Sequence, residues 1–298
     1  MDIRVLQYFL TVAREESITK AAEVLHMTQP PLSRQLKDLE EELGTQLLIR
    51  GGKRITLTED GMLLRKRAEE LITLMEKTRA ELTSSNETIN GDIYIECGET
   101  ENISFLVQAA RNLREKHPLV RYHIYSGDAG RVMERLDKGL IDFGLFVGPT
   151  DVTKYDSLTL PIKDTWGVLM PKDSPLTEKE HISPEDLWDK PLILSHQSAT
   201  AREMLSWLKT DTSQLNITAT YDLVYNAAQF AKQGFGYVIT LDKLINTTGD
   251  SSLCFRPFFP PLEAELCIVW KKYQILSRAS NAFLRQLQLE LETSGGSI

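Results

Sequence analysis

Residues 19–43 read Thr-Lys-Ala-Ala-Glu-Val-Leu-His-Met-Thr-Gln-Pro-Pro-Leu-Ser-Arg-Gln-Leu-Lys-Asp-Leu-Glu-Glu-Glu-Leu. Within this stretch Leu32, Leu36, Leu39 and Leu43 recur at steps of four, three and four, the spacing of one buried helix face. Gln29, Ser33 and Lys37 step by four along a different face, with Pro30 and Arg34 beside them. Thr28 is placed to cap that helix, and Pro30 and Pro31 fall in its first turn, where a missing N–H does little harm. The Ala21–Ala22 pair keeps the preceding helix slim, so the second can cross close to it, and Ile18 and Leu25 complete its buried side. Two helices joined by a tight turn, the second with an apolar stripe and a separate polar face, form a helix-turn-helix. That polar face has the donors and acceptors that reach base edges and phosphates in a major groove. An ordinary amphipathic hairpin would show the same stripe, so the flanking segments must discriminate.

Upstream, Leu6, Phe9, Leu10 and Ala13 recur at helical spacing and supply a third wall. Downstream, Gln46-Leu-Leu-Ile and Ile55-Thr-Leu are short apolar runs joined by Arg50-Gly-Gly-Lys-Arg, which predicts a β-hairpin. Its tip carries Arg50, Lys53 and Arg54, placed as a wing along a neighbouring groove. The expected DNA-contacting set is therefore Thr28, Gln29, Pro30, Ser33, Arg34, Lys37, Arg50, Lys53 and Arg54. Glu40, Glu41 and Glu42 are expected at the far end of the recognition helix, away from this surface.

At this point the chain resembles a LysR-type transcriptional regulator over its full length. The resemblance rests on Phe9-Leu-Thr-Val-Ala13, Thr19-Lys-Ala-Ala22, Thr28-Gln-Pro-Pro-Leu-Ser-Arg-Gln-Leu36, Leu39-Glu-Glu-Glu-Leu-Gly44 and Leu57-Thr-Glu-Asp-Gly61. Five blocks in the right order are a far more specific signal than a lone motif. Pro31 and Leu48 depart from it, standing where the family often has a small residue and Phe. The resemblance implies a DNA-binding regulator acting as an oligomer, a dimer and then a tetramer, on a partly palindromic promoter site. It also implies a small-molecule effector that changes DNA bending, and RNA polymerase as a candidate partner.

A long helix is expected to begin after Thr58, with Glu59 and Asp60 at its positive end. Leu64, Ala68, Leu71, Met75, Thr78 and Leu82 alternate steps of four and three, a heptad seam suited to a second copy of the chain. Leu64, Ala68, Leu71, Met75 and Leu82 form the expected dimerisation set. The polar run Ser84-Ser-Asn-Glu-Thr then marks a hinge.

From Gly91 the pattern changes to alternating strands and helices, indicating a parallel α/β architecture. Strands are expected at Asp92–Cys97, Arg121–Tyr125, Asp142–Val147, Trp166–Met170, Leu192–Ser195, Ile217–Tyr221 and Tyr237–Thr240, with a returning apolar run at Ala264–Trp270. The fold class expected overall is multidomain α+β: a winged helix-turn-helix at 1–58, a linker helix and hinge at 59–90, and an effector-binding domain at 91–298. By resemblance to the family, that domain has two subdomains like a periplasmic binding protein, I at 91–161 and 265–298 and II at 162–264, linked by two crossing strands.

Open α/β sheets bind ligands at the carboxyl ends of their strands, where helix N-termini face the cleft. The turns there offer Gly98 to Asn102, Ser126 to Asp128, and Ser195 to Ser198. The expected effector set is Thr100, Asn102, Ser126, Gly127, Gln197, Ser198, Asn226 and Phe235, with Thr100 aligning where the family often places a hydroxyl. For each of these, a helix cap or turn role is an equally good reading. Glu99 and Glu101 put negative charge on the expected cleft lip, so a cationic, zwitterionic or neutral effector stays open.

Composition fits a cytoplasmic regulator. The 298 residues allow two or three domains, and 42% hydrophobic with 26% charged residues is ordinary for a globular chain. No basic start with an unbroken apolar run marks a signal peptide, and no stretch reaches membrane-spanning length, so no membrane partner is expected. Three widely spaced cysteines suit a reducing compartment. The net charge of −8 leaves DNA affinity to a local basic set. Enzyme signatures are missing: no P-loop, no G-x-S-x-G, no paired metal-binding cysteines and no H-E-x-x-H, so neither a catalytic residue, a metal nor a cofactor is assigned. A solute-binding protein would leave residues 1–82 unexplained. A redox sensor of the family's kind would need paired cysteines within Ser195–Leu215, where there are none.

Overall fold

The computed structural model describes residues 1–51, 54–83, 88–196, 202–210 and 212–293. It divides into two compact units, Met1–Thr83 and Ser84–Ile298.

In the first unit, α1 (Ile3–Glu15) is capped by Asp2, which accepts from Arg4 N–H, and buries Leu6, Phe9 and Val12. Val12 rather than Ala13 completes that face, and Leu10 is only half-buried. Ser17 caps α2 (Ile18–Val24), whose Ala21 and Ala22 are buried where α3 (Gln29–Leu43) crosses. Thr28 holds the N-cap position of α3 without a side-chain capping bond. Leu32, Leu36 and Leu39 are buried, but Leu43 is 41% exposed, because the helix outruns its support and ends one residue later at Gly44. These side chains form one core with Phe9, Leu47 and Leu48.

The wing is β1 (Leu48–Ile49) paired antiparallel with β2 (Thr56–Leu57). Glu40 is not idle at the end of α3. Its Oε1 accepts from the N–H of Leu47 (2.9 Å) and Leu48 (3.0 Å), and its Oε2 pairs with Arg50 at 2.8 Å.

The long helix α4 (Glu59–Thr83) starts where Thr58 Oγ1 accepts from Gly61 N–H (2.9 Å) and donates to Gln46 carbonyl (2.7 Å). A Cβ at Gly61 would lie 2.2 Å from the Leu47 carbonyl oxygen, so the helix can pass the wing this closely only with glycine there. The expected dimer seam needs correction at its first two positions. Leu64 packs on the core of its own unit, and Ala68 is fully buried within the chain, so neither has much surface left for a partner. Leu71 (42% exposed), Leu74 (40%) and Leu82 (81%) line an open groove with Met75, Thr78 and Arg79.

The second unit is built on β3 (Gly91–Cys97), α5 (Ser104–Lys116), β4 (Val120–Ser126), α6 (Ala129–Asp137), β5 (Phe143–Val147), β6 (Tyr155–Pro171), β7 (Leu192–Ser195), α7 (Arg202–Leu208), β8 (Ile217–Tyr221), α8 (Val224–Lys232), β9 (Tyr237–Leu241), β10 (Leu253–Pro257), β11 (Glu263–Lys271) and α9 (Arg278–Thr293). The strand order is β4-β3-β5-β11-β6-β9-β7-β8, with β10 also paired to β6. Parallel pairs lie at both ends, and antiparallel β6 and β11 join them. The first half of β6 pairs with β11, and Trp166–Leu169 pairs with β9, so one 17-residue strand runs through both lobes. The sequence reading began this strand only at Trp166 and missed β10. In its first half, buried positions alternate with exposed ones, a weaker signal than the apolar run that follows.

One lobe centres on Ile93, Phe143, Ile268 and Phe283, with Phe143 and Phe283 edge to face at 5.4 Å between ring centres. The other lobe buries Val168, Leu192, Trp207 and Phe258 on one side of its sheet and Ala227, Ala231 and Val238 on the other.

Candidate functional site

In the first unit the polar face of α3 is open to solvent. Gln29, Pro30, Arg34 and Lys37 are exposed, as is Thr28, while Ser33 is half-buried. Arg34 makes no ion pair among the described residues, whereas Lys37 pairs with Glu41 at 3.2 Å with both ends exposed, a weak contact. Arg50 is held by Glu40, and Arg54 by Glu16 at 2.9 Å. A phosphate would have to replace these acidic partners. Lys53 lies outside the described residues.

The second unit contains a cleft of about 610 Å³ between its lobes, a volume suited to a small organic ligand. One wall comes from strand ends of the first lobe: Gly98 and Glu99 after β3, Gly127 to Ala129 after β4, and Gly148 to Asp151 after β5. The opposite wall comes from Ser195 and His196 after β7, Arg202 to Met204 on α7, and Tyr221 to Val224 where β8 turns into α8. Trp166, Thr240 and Leu241 line it from β6 and β9.

Local chemistry fixes several of these positions. Glu96 is fully buried and paired with Arg131 (2.8 Å) and Arg135 (3.1 Å), and a Cβ at Gly127 would lie 2.5 Å from its Oε1. A side chain at that point of the wall would have to displace the Glu96 carboxylate from its place between the two arginines. Tyr221 donates to the Ile239 carbonyl at 2.8 Å, and burial holds its phenol protonated well above the ordinary range. His196 Nε2 lies 3.7 Å from Asp222 at the exposed rim. Across the cleft, Glu99 Oε2 accepts from the N–H of Val224 at 2.8 Å.

Most of the expected effector residues lie elsewhere. Thr100 is buried and caps the short turn Glu101–Ile103, accepting from Asn102 N–H at 3.0 Å. Asn102 donates to Asp164 Oδ1 at 2.7 Å. Asn102 therefore ties this loop to the crossing strand, Thr100 caps the turn within it, and neither lines the cleft. Ser126 is exposed at the strand end, one residue short of the lining. Asn226 points from the exposed side of α8, and Phe235 packs edge to face on Phe230 at 5.2 Å while remaining 49% exposed. Gly127 does line the cleft; Gln197 and Ser198 lie outside the described residues. Trp166, Tyr221, Leu223, Val224, Thr240 and Leu241 were missed. Extending the strand-end rule to apolar residues after β8 would have found Leu223 and Val224.

Burial raises the pKa of Asp164, outweighing the lowering influence of the nearby Thr100 hydroxyl and Asn102 amide, and Glu101 adds to the rise. Its folded pKa exceeds its unfolded one. The resulting penalty is absent below the unfolded carboxylate pKa, grows as pH rises, and is complete above the folded value. Asp164→Asn should therefore gain melting temperature over the wild type at about pH 7 relative to about pH 4. An equal difference at both pH values would mean that Asp164 ionises as an ordinary carboxylate.

Burial also lifts the thiols of Cys97, to about 11 with Glu96 and Glu99 adding, and of Cys254 and Cys267. Such thiols are poor nucleophiles, and all three are free. Among the described residues no group of three or more His, Cys, Asp or Glu is placed to hold a metal, and no helix is long and apolar enough to cross a membrane.

Known proteins supply the remaining evidence. Residues 3–62 match the bacterial regulatory helix-turn-helix protein family of lysR type, and residues 86–292 match the LysR substrate binding domain. The chain is 39% identical over 144 residues to the HTH-type transcriptional regulator BsdA of Bacillus subtilis, covering 48% of this chain and 49% of that one. It is 36% identical over 197 residues to the regulator AlsR of the same organism, covering 65% and 64%. The matched stretches thus span about half to two thirds of these relatives' lengths. Among solved structures, full-length CbnR complexed with its target DNA has the same fold, with a TM-score of 0.76 at 17% identity over 97% of this chain and all of that one. Full-length BenM aligns over 100% of this chain and 99% of its own, with a TM-score of 0.54 at 23% identity. BsdA and AlsR are both named as transcriptional regulators. With a helix-turn-helix at one end and an open interlobe cleft in the other unit, the chain belongs to the LysR family of bacterial regulatory proteins.

Proposed function

We propose that this chain is a cytoplasmic transcriptional regulator that binds a partly palindromic promoter site as an oligomer and is modulated by a small effector in the interlobe cleft. Residues 1–58 bind DNA, 59–90 link and dimerise, and 91–298 bind the effector. The observation that carries the reading is the solvent-facing polar side of α3, with Gln29, Ser33 and Arg34 beside a wing that bears Arg50 and Arg54. CbnR, of the same fold, is described in complex with its target DNA, which supports that use of the surface. The exposed groove of α4 at Leu71, Leu74 and Leu82 supports pairing of two chains, and the family resemblance extends this to a tetramer working with RNA polymerase.

In this reading Gln29, Ser33 and Arg34 meet bases, while Lys37, Arg50, Lys53 and Arg54 hold phosphates. Arg34→Ala should cost about 1–3 kcal/mol on the cognate site and relax specificity at one base pair. Arg54→Ala should weaken all sequences alike and flatten the salt dependence. Both are measured by fluorescence anisotropy on a duplex selected from a random-sequence pool. Unchanged binding by Arg34→Ala would remove α3 from the base-reading role.

A further inference from the structure

Helix α8 begins against the rules of local capping. Its N-cap is Leu223, which has no side-chain capping bond, and leucine is among the poorest residues for that position. The N–H of Val224 is satisfied instead by Glu99, 125 positions earlier in the chain and on the opposite wall of the cleft. A broken local rule repaired across a ligand cleft marks a functional arrangement. The carboxylate sits where the positive end of α8 would otherwise receive an anion. Only its Oε2 is used; Oε1 makes no hydrogen bond among the described residues.

The rest of the lining carries the same sign. Among the described residues of the lining, Glu99, Asp128, Asp151, Glu203 and Asp222 stand against one arginine, Arg202, and one histidine, His196. Between them the surface is largely apolar, with Trp166, Leu241 and Met133 among the contributors. Building on the effector-cleft reading, we infer that Glu99 is the specificity-determining residue of this site and that the effector is an amine-bearing molecule with an apolar body. The resident carboxylate fills the anion position at α8, repels a carboxylate ligand and offers its second oxygen to an ammonium group. It also spans the two lobes, so the ligand group that it recognises is read at the seam between them.

The test uses the full chain and two probes with the same phenylethyl body, 2-phenylethylamine and 3-phenylpropanoate, titrated by calorimetry, with hydrogen exchange used to locate the protected amides. The wild type should bind the amine about tenfold or more tightly than the carboxylate, the least expected beside a half-buried carboxylate. Protection should fall on the turns after β3 and β8. Glu99→Gln keeps an acceptor for Val224 N–H but removes the charge, and should bring the two probes to parity or reverse them. Glu101→Gln, on the same turn but outside the lining, should keep the wild-type preference. Equal or tighter binding of the carboxylate by the wild type, or no binding of the amine, overturns the assignment of ligand class. A preference that survives Glu99→Gln with the cleft amides protected overturns the role of Glu99 while leaving the cleft as the effector site. Protection elsewhere overturns both.

Discussion

Leu71→Asp should lower the mass of the assembly by light scattering and cut promoter affinity about 10²–10⁴-fold, the loss expected when two linked half-site contacts become independent. Leu71 is exposed in the single chain and lines the groove with Leu74, Met75 and Leu82, so the substitution leaves the fold of one copy nearly untouched. Buried in a pairing seam, the same carboxylate would be an unpartnered charge in apolar surroundings, which is strongly unfavourable. Circular dichroism of the variant should match the wild type. Unchanged mass and affinity would return this part of α4 to solvent. Ala68 sets the boundary of the effect: it is already buried within its own chain, so changes there test packing rather than pairing.

Gly61→Ala should destabilise the first unit by about 1–3 kcal/mol or more, because the added Cβ meets a backbone oxygen that cannot rotate away. The clash is with the Leu47 carbonyl, its oxygen at 2.2 Å and its carbon at 3.1 Å, with Leu57 Cβ behind at 3.3 Å, so either the start of α4 or the wing must move. All four tryptophans, Trp166, Trp188, Trp207 and Trp270, lie in the second unit. In urea, tryptophan fluorescence should keep its wild-type midpoint while helical circular dichroism acquires an earlier transition. A single coincident transition at the wild-type midpoint would show that the approach of α4 to the wing relaxes without cost.

The contrast between these elements explains what was legible in the sequence. The stripe of Leu32, Leu36 and Leu39 could be read because a single helix packed on one side imposes its own period. The wing could be read because its turn is punctuated by glycine and basic residues. The cleft could not, because its lining is chosen by tertiary position. Polar residues at strand ends were the natural candidates, yet Thr100 caps its own turn, Asn102 serves Asp164 on the crossing strand, and Phe235 serves Phe230. Trp166 and Leu241 look like any strand residue until β6 and β9 are paired. Glu99 was recognisable as a charge near the lip, but its partner lies 125 residues away, beyond any local pattern.

Glu40 gives the DNA-reading unit a mechanical property. One carboxylate on α3 holds the backbone at the base of the wing through the N–H groups of Leu47 and Leu48, two bonds that stay in place when a phosphate takes Arg50 from its other oxygen. Helix and hairpin are thereby clamped at a fixed separation, like the jaws of a locked calliper. Within one copy the angle between α3 and the wing, the two elements proposed to meet DNA, is then set before any duplex arrives. On the proposed function, an effector would act on the spacing between two such units and not on the geometry within either one.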